Sequence, residues 1–371
     1  MEFKRKKDSA VIWKGAVIPP EITGDVKDPD WYITDRNTKI TDLVPSKERI
    51  EVVKGIISDI HLDNVKDQLW DLERDGLTQS MLLEFLACRK RADLGYRQGW
   101  SSLTTSNAIT FGTLFHACLE KYYQAKDSDI PKLITDCLQE YKESVTKERQ
   151  WTVEDAENHA LNEGFIRSVL PKYVDNYKDK DAGKQYSFVE KEFNVEIMGI
   201  RCRGKMDRVE TNKDGAIWVV DTKTKSRIDP NIQDRLSYDP QVMLYILAYQ
   251  TITGKLPAGF MLDIIQRPAL RRGKEETLQH FVERVKKDVD ESYFARIQWR
   301  LDPKEFEVWK EEFRQMVQEF KAWAEGRSAT YRNPASCETR YGTCKFVKVC
   351  GLGLYDGLVK KTKVFSELGG K

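Results

Sequence analysis

No run of about eighteen apolar residues occurs in this 371-residue chain, which excludes a transmembrane helix. The charged start, Met1-Glu2-Phe3-Lys4-Arg5-Lys6-Lys7, has no apolar stretch behind it, so a secretory signal is not expected. These absences predict a soluble, intracellular (cytoplasmic) protein with no membrane partner. Internal repeats and low-complexity tracts are absent too. A surplus of one charge is also missing. With 61 basic and 59 acidic residues the net charge is +2, so bulk charge does not announce a nucleic-acid binder. Finally, no G-x-x-x-x-G-K-[ST] segment exists, which removes the common phosphate loop of ATP-driven motors.

What is present describes a folded chain. Hydrophobic content of 40% and aromatic content of 11% argue against disorder. The length allows one elaborated domain or two. Charge is patterned locally: Arg201 to Arg227 holds eight basic and four acidic residues, and Arg267, Arg271, Arg272 and Lys274 crowd one stretch. Such patches attract phosphate, although each alone reads equally well as a solvated face. Seven cysteines in an intracellular chain point to metal or thiol chemistry rather than disulfides, and three fall close together near the C-terminus.

Along the chain, residues 1–75 carry prolines at 19, 20, 29 and 45 and no sustained helical period. They predict an accessory segment, irregular or short-stranded, ahead of a main domain over 76–371. A helix is expected from Ser80 as cap, with Leu82, Leu83, Phe85 and Leu86 as its apolar face and Cys88 near its end. After a Ser/Thr-rich loop at 101–106, a second helix places Gly112, His116 and Glu120 on one face. Leu114, Phe115, Leu119 and Tyr122 cover its buried side. Amphipathic helices follow over 131–180, then strands at about 186–197, 200–210 and 216–224, with an Asn212–Gly215 turn between the last two. Asp239-Pro240 opens a helix that Gly254 closes. A further strand is read at Leu262–Ile265, and long helices are expected over 277–297 and 303–325. Helices before, between and after a small sheet predict an α/β (α+β) fold.

The centre of the pattern is Gly204-Lys205-Met206-Asp207 followed by Asp221-Thr222-Lys223. Strand alternation puts Asp221 and Lys223 on one face, with Val220 and Thr222 on the other. Pairing of the two strands would bring Asp207 to the same sheet end. Two carboxylates and an ammonium there suit a divalent cation beside a phosphate; charges simply facing water are the plain alternative.

Taken in order, Gly112/His116, Gly204/Asp207, Asp221/Lys223 and Gln241/Tyr245 resemble the RecB-like branch of the PD-(D/E)XK nuclease superfamily. Its pattern is GxxxH on a helix, GxxD and DxK on successive strands, and QxxxY on the next helix. The resemblance spans about residues 78–350. It implies a restriction-endonuclease-like core, a small mixed sheet flanked by helices, with helical additions. It also implies Mg²⁺ or Mn²⁺ held by His116, Asp207, Asp221 and the Thr222 carbonyl. Lys223 would act on the attacking water, and Gln241 and Tyr245 would border the site. The implied activity is a metal-dependent DNA exonuclease working on single strands or duplex ends in recombination, repair or phage DNA processing, in the host cytoplasm if phage-encoded. A helicase or recombination protein would be its partner. A structure-specific or nicking endonuclease and a non-catalytic DNA-binding module are the alternatives.

A second resemblance lies in Cys337, Cys344 and Cys350 with the distant Cys88. They look like the cysteine staple of AddB, the CRISPR-adaptation nuclease and exonuclease V, which implies a [4Fe–4S] cluster. The five-residue gap between Cys344 and Cys350 matches; the six-residue gap before Cys344 departs from the usual two, and suits a four-thiolate zinc site equally. Independent buried cysteines are the plain alternative. Cys118, Cys137 and Cys202 read as core or surface thiols.

Overall fold

The computed structural model describes residues 68–371 apart from 104–105, 126–128, 149, 340–341, 366–367 and 369–371, with four short strands nearer the start of the chain. Those strands, Phe3–Arg5, Val11–Ile12, Trp31–Ile33 and Thr38–Lys39, pair antiparallel. They belong to one compact unit, Met1–Gln68; Leu69–Lys371 forms a second. Most of the segment expected to be irregular over 1–75 lies outside the described residues.

In the second unit, helix α1 spans Gln79–Ala87. Thr78, not Ser80, is its cap, with the Thr78 hydroxyl accepting from the Met81 amide. Starting there turns Met81, Leu82 and Phe85 inward, while Leu83 and Leu86, expected on the apolar face, are exposed. Ser101 and Ser102, expected to be loop, instead belong to a strand, Trp100–Ser102, paired with Leu358–Lys360, because its backbone finds an antiparallel partner there. Helix α2, Asn107–Gln124, is capped by Ser106. Helices α3 (Ile130–Glu148) and α4 (Val153–Asp181) follow, α4 opened by a reciprocal capping box between Thr152 and Asp155.

Strands β1 (Gln185–Ile197), β2 (Ile200–Thr211) and β3 (Ile217–Lys225) run antiparallel in turn. The β2–β3 turn uses Gly215 at φ 81°, a conformation glycine adopts without strain. Helix α5, Pro240–Thr253, is capped by Asp239, has proline in its first turn and ends at Gly254. It carries the chain over to β4 (Gly259–Gln266), parallel to β3. Such a parallel return needs a crossover, and the helix provides it. Helix α6 covers Leu278–Asp288 only. The helix expected to run to 297 stops because Asp290 caps a tight turn, after which Phe294–Arg300 forms β5, antiparallel to β4. Helix α7, Pro303–Ala324, is capped by Asp302. The sheet order is β5-β4-β3-β2-β1.

Helices cover both faces. One apolar cluster joins Phe85, Val219, Met243, Phe260, Phe313 and Phe320, placing α1, α5 and α7 on one side. The other joins Phe111, Phe115, Phe165, Tyr173, Ile265 and Phe281, placing α2, α4 and α6 opposite. Strand β4 is buried from Gly259 to Ile265, as a central parallel strand covered on both faces must be. Among the described residues, no helix is long and apolar enough to cross a membrane.

Candidate active site

The ladder between β2 and β3 runs from Thr211↔Ile217 to Arg208↔Val220. Asp207 and Asp221 are the next residues along each strand, so the carboxylates stand where pairing stops. The Thr222 amide donates to Asp207 Oδ2 at 2.7 Å instead of continuing the ladder. Asp221 and Lys223 do share a face: Lys223 Nζ is 2.8 Å from Asp221 Oδ2. Thr222 points the other way, its hydroxyl accepting from the buried Arg208 guanidinium at 3.2 Å. That guanidinium also contacts Asp263 at 2.6 Å, so the strands are pinned from beneath the site.

Helix α2 passes beside the end of β3. A Cβ at Gly112 would lie 3.0 Å from Thr224 Oγ1, so glycine permits this approach. One turn on, His116 Nδ1 reaches 3.6 Å from Asp207 Oδ2 and 3.6 Å from Glu190 Oε1. Glu190 is the residue that sequence reasoning missed. It lies between the register pairs Val189↔Arg208 and Lys191↔Met206, which places it opposite Asp207. Its φ of 49° is unusual for glutamate, a local strain of about 1–3 kcal/mol that the surrounding sheet imposes. One ligand atom each from His116, Glu190 and Asp207 lies within 4.8 Å of the others. Lys205 balances Glu190 from the other side at 2.5 Å.

Helix α5 supplies the fourth wall. Gln241 Nε2 donates to Asp221 Oδ1 at 2.6 Å. Tyr245, one turn later on the same face as Gln241, packs edge-on against Phe193 with ring centroids 5.9 Å apart. Gly204 explains itself here: a Cβ would stand 2.5 Å from the Phe193 ring. The two motif glycines therefore make room, one for a helix and one for the ring that backs Tyr245.

Charge crowding marks this sheet end. Burial pushes the Asp207 carboxyl up to about 6; His116 opposes the shift, while Asp221 and Glu190 reinforce it. Burial would lower His116, but Asp207 and Glu190 outweigh it and raise the imidazole above its ordinary value. Burial likewise disfavours the Lys223 ammonium, and Asp221 with Asp207 overturns that, so Lys223 stays charged. Burial, with Asp221 and Asp207, holds Tyr245 well above the ordinary phenol range, and its hydroxyl keeps its proton. Three clustered carboxylates beside an imidazole form a donor set that fits a hard divalent cation, whose charge would relieve the repulsion on Asp207. A cleft of about 990 Å³ opens from Asp221, Lys223 and Gln241 toward Lys225, Arg227 and Arg267.

The cysteines expected at a staple gather elsewhere in the same unit. Cys88 joins the end of α1 to the short helix Arg89–Ala92. Its Sγ accepts from the Asn333 amide at 3.4 Å, which ties it to the C-terminal segment. The Cys344 amide donates to the Cys337 carbonyl at 2.7 Å. Cys350 lies on the helix Val347–Leu352; burial raises its thiol, Arg332 opposes, and nearby Cys344 and Cys88 raise it further. These contacts make Cys88 and Cys344 neighbours of Cys350 and join Cys337 to Cys344 through the backbone. Cys118, Cys137 and Cys202 are buried in the core, apart from them.

The family model for the PD-(D/E)XK nuclease superfamily matches residues 76–351. Among solved structures, a candidate exonuclease from Eubacterium rectale is 13% identical, with 75% of this chain and 93% of that one covered and a TM-score of 0.41. The structure of SSO0001 is also 13% identical, covering 74% and 96%, with a TM-score of 0.25. No curated protein matches the chain. The family match spans most of the chain and both strands of the acidic site: the chain belongs to the PD-(D/E)XK nuclease superfamily.

Proposed function

We propose that this nuclease is a divalent-metal-dependent deoxyribonuclease that works as an exonuclease on single strands or duplex ends, in recombination, repair or phage DNA processing. The observation that carries the reading is the convergence of His116, Glu190 and Asp207 within 4.8 Å, beside the Asp221–Lys223 pair. Carboxylate oxygens with one imidazole suit Mg²⁺ or Mn²⁺. His116, Glu190 and Asp207 would hold the ion, with Asp221 and the Thr222 carbonyl as neighbouring donors. A bound ion supplies an activated water and relieves charge on the phosphate. Lys223, kept as an ammonium by Asp221, would orient an attacking water and stabilise charge that develops on the phosphoryl oxygens. Gln241 fixes the Asp221 carboxylate through one oxygen, and Tyr245 packs beside it on the same helix face. Both are positioning residues.

The test offers end-labelled single strands, linear duplex and covalently closed circles, each with Mg²⁺, Mn²⁺ or EDTA. Shortening of linear DNA from an end, dependent on the ion and absent on circles, is expected. Cutting of circles would make the enzyme an endonuclease. A folded protein that binds DNA and cuts nothing would make it a binding module.

We also propose that Cys88, Cys337, Cys344 and Cys350 hold a [4Fe–4S] cluster that serves structure rather than catalysis. Thiolates are the normal ligands of such clusters. The six-residue gap before Cys344 suits a second reading equally, a four-thiolate zinc site. Metal analysis and a visible spectrum of anaerobically purified protein separate the two: a brown, iron-containing protein supports the cluster, and a colourless, zinc-containing one supports zinc.

A further inference from the structure

The cleft beside the acidic site has two unlike walls. One is basic. Lys225 and Arg267 stand at the ends of parallel strands β3 and β4, joined where the Arg267 amide donates to the Lys225 carbonyl at 2.7 Å. Arg227 follows two residues on and is exposed. Among the described residues, no ion-pair partner is found for Lys225, Arg227 or Arg267, whereas Arg235 in the same cleft is taken by Asp229. Arg267 is half-buried, and burial lowers its guanidinium below the ordinary value. A partly desolvated cation without a carboxylate calls for an anion from outside. Asp239, the α5 cap, is the opposing charge left once Asp221 and Asp229 are paired.

The other wall is apolar and contains an aromatic ring, Tyr238, on which no second ring or cation sits among the described residues. Tyr238 is 55% exposed, and it lines the cleft with Leu83 and Ile232. It immediately precedes Asp239-Pro240, where the cap and the proline hold the backbone rigid. An exposed ring on a rigid support beside unpaired cations has the physical character of a stacking platform for single-stranded nucleic acid. A duplex keeps its bases stacked and offers this wall only its backbone.

We propose that this cleft is a single-strand groove in which Tyr238 stacks on one unpaired nucleobase while Lys225, Arg227 and Arg267 take the flanking phosphates. The proposal rests on the nuclease reading above and narrows it: the strand reaching Asp207 and Asp221 is unpaired, even when it comes from a duplex end.

The test measures anisotropy of a labelled oligo-dT strand with EDTA present, so that the strand stays intact, with Mg²⁺-dependent cleavage by the parent protein assayed alongside. Tyr238→Ala should weaken binding about 5- to 100-fold, at unchanged melting temperature, while Tyr238→Phe stays close to the parent. A single abasic position moved along the strand should cost the parent a similar factor at one place, and cost Tyr238→Ala nothing more there. Lys225→Gln and Arg267→Gln should each flatten the salt dependence by about one phosphate contact. If the parent cuts single strands but Tyr238→Ala binds as tightly, or Tyr238→Phe loses as much as Tyr238→Ala, the stacking platform is overturned and the nuclease reading stands. A parent protein that neither binds nor cuts single strands overturns both.

Discussion

Asp207 faces Glu190 and Asp221, with His116 as its nearest cation, so its charge is costly while no metal is bound. Its carboxyl is raised from 3.8 to about 6. A carboxyl raised on folding holds its proton more tightly in the folded state. That contribution is fully present below about pH 4 and is lost as the pH rises through 6. Metal-free Asp207→Asn should therefore be more stable than the parent near pH 8, by on the order of 2–3 kcal/mol at most, and little different near pH 4. Urea melts at the two pH values check this; a variant weaker than the parent near pH 8 contradicts it. Asp221→Asn should lower kcat about 10²- to 10³-fold with unfolding still cooperative; activity near that of the parent would move the chemistry elsewhere. Gln241→Met removes the hydrogen bond to Asp221, so a loss of about 10- to 100-fold in kcat is expected. At this scale, the order of motifs and the family resemblance it carries picked out His116, Asp207, Asp221, Lys223, Gln241 and Tyr245, and the fold brings these side chains to one sheet end. Glu190 was not legible. It meets Asp207 through the pairing register of β1 and β2 and a positive φ, and neither leaves a mark in Val189-Glu190-Lys191.

Elements were legible where capping chemistry is explicit. Asp239-Pro240 with Gly254, and Asp302-Pro303, mark the helix ends that the structure has. Ser80 misled because two hydroxyl residues, Thr78 and Ser80, compete for one cap, and burial of Met81 decides between them. The missed strand β5 had a signal: Phe294-Ala295-Arg296-Ile297-Gln298-Trp299-Arg300 alternates apolar and polar from Ile297 onward. A helical reading carried past Asp288 hid it. Close packing between elements yields its own prediction. A Cβ on Gly259 would stand 2.2 Å from the Trp299 carbonyl oxygen and 2.8 Å from the Trp218 ring. On Gly204 its nearest neighbour would be the Phe193 ring, at 2.5 Å. Gly204→Ala should then cost about 1–3 kcal/mol, and Gly259→Ala more, because backbone cannot step aside as a ring can. Urea unfolding ranks the two, and equal midpoints would contradict this account of the packing.

On the scale of the molecule, the Asn333–Cys88 contact ties the helical start of the second unit to its C-terminal segment, and the cysteines stand at that seam. If they hold a metal, Cys344→Ser should remove it and lower the melting temperature, since binding energy of such a site is folding energy. An unchanged melting temperature and metal content would remove the staple. The α/β class was readable from the order of helices and strands, but the sheet order was not, because pairing of β4 with β5 depends on contacts between distant residues. The most direct test of the whole account is Mn²⁺ binding to the parent, Glu190→Gln and His116→Ala, each paired with its cleavage rate. The account predicts Mn²⁺ bound by the parent and weakened about 10- to 100-fold in both variants, with cleavage falling in step. Unchanged Mn²⁺ affinity in Glu190→Gln and His116→Ala, with cleavage intact, would contradict it.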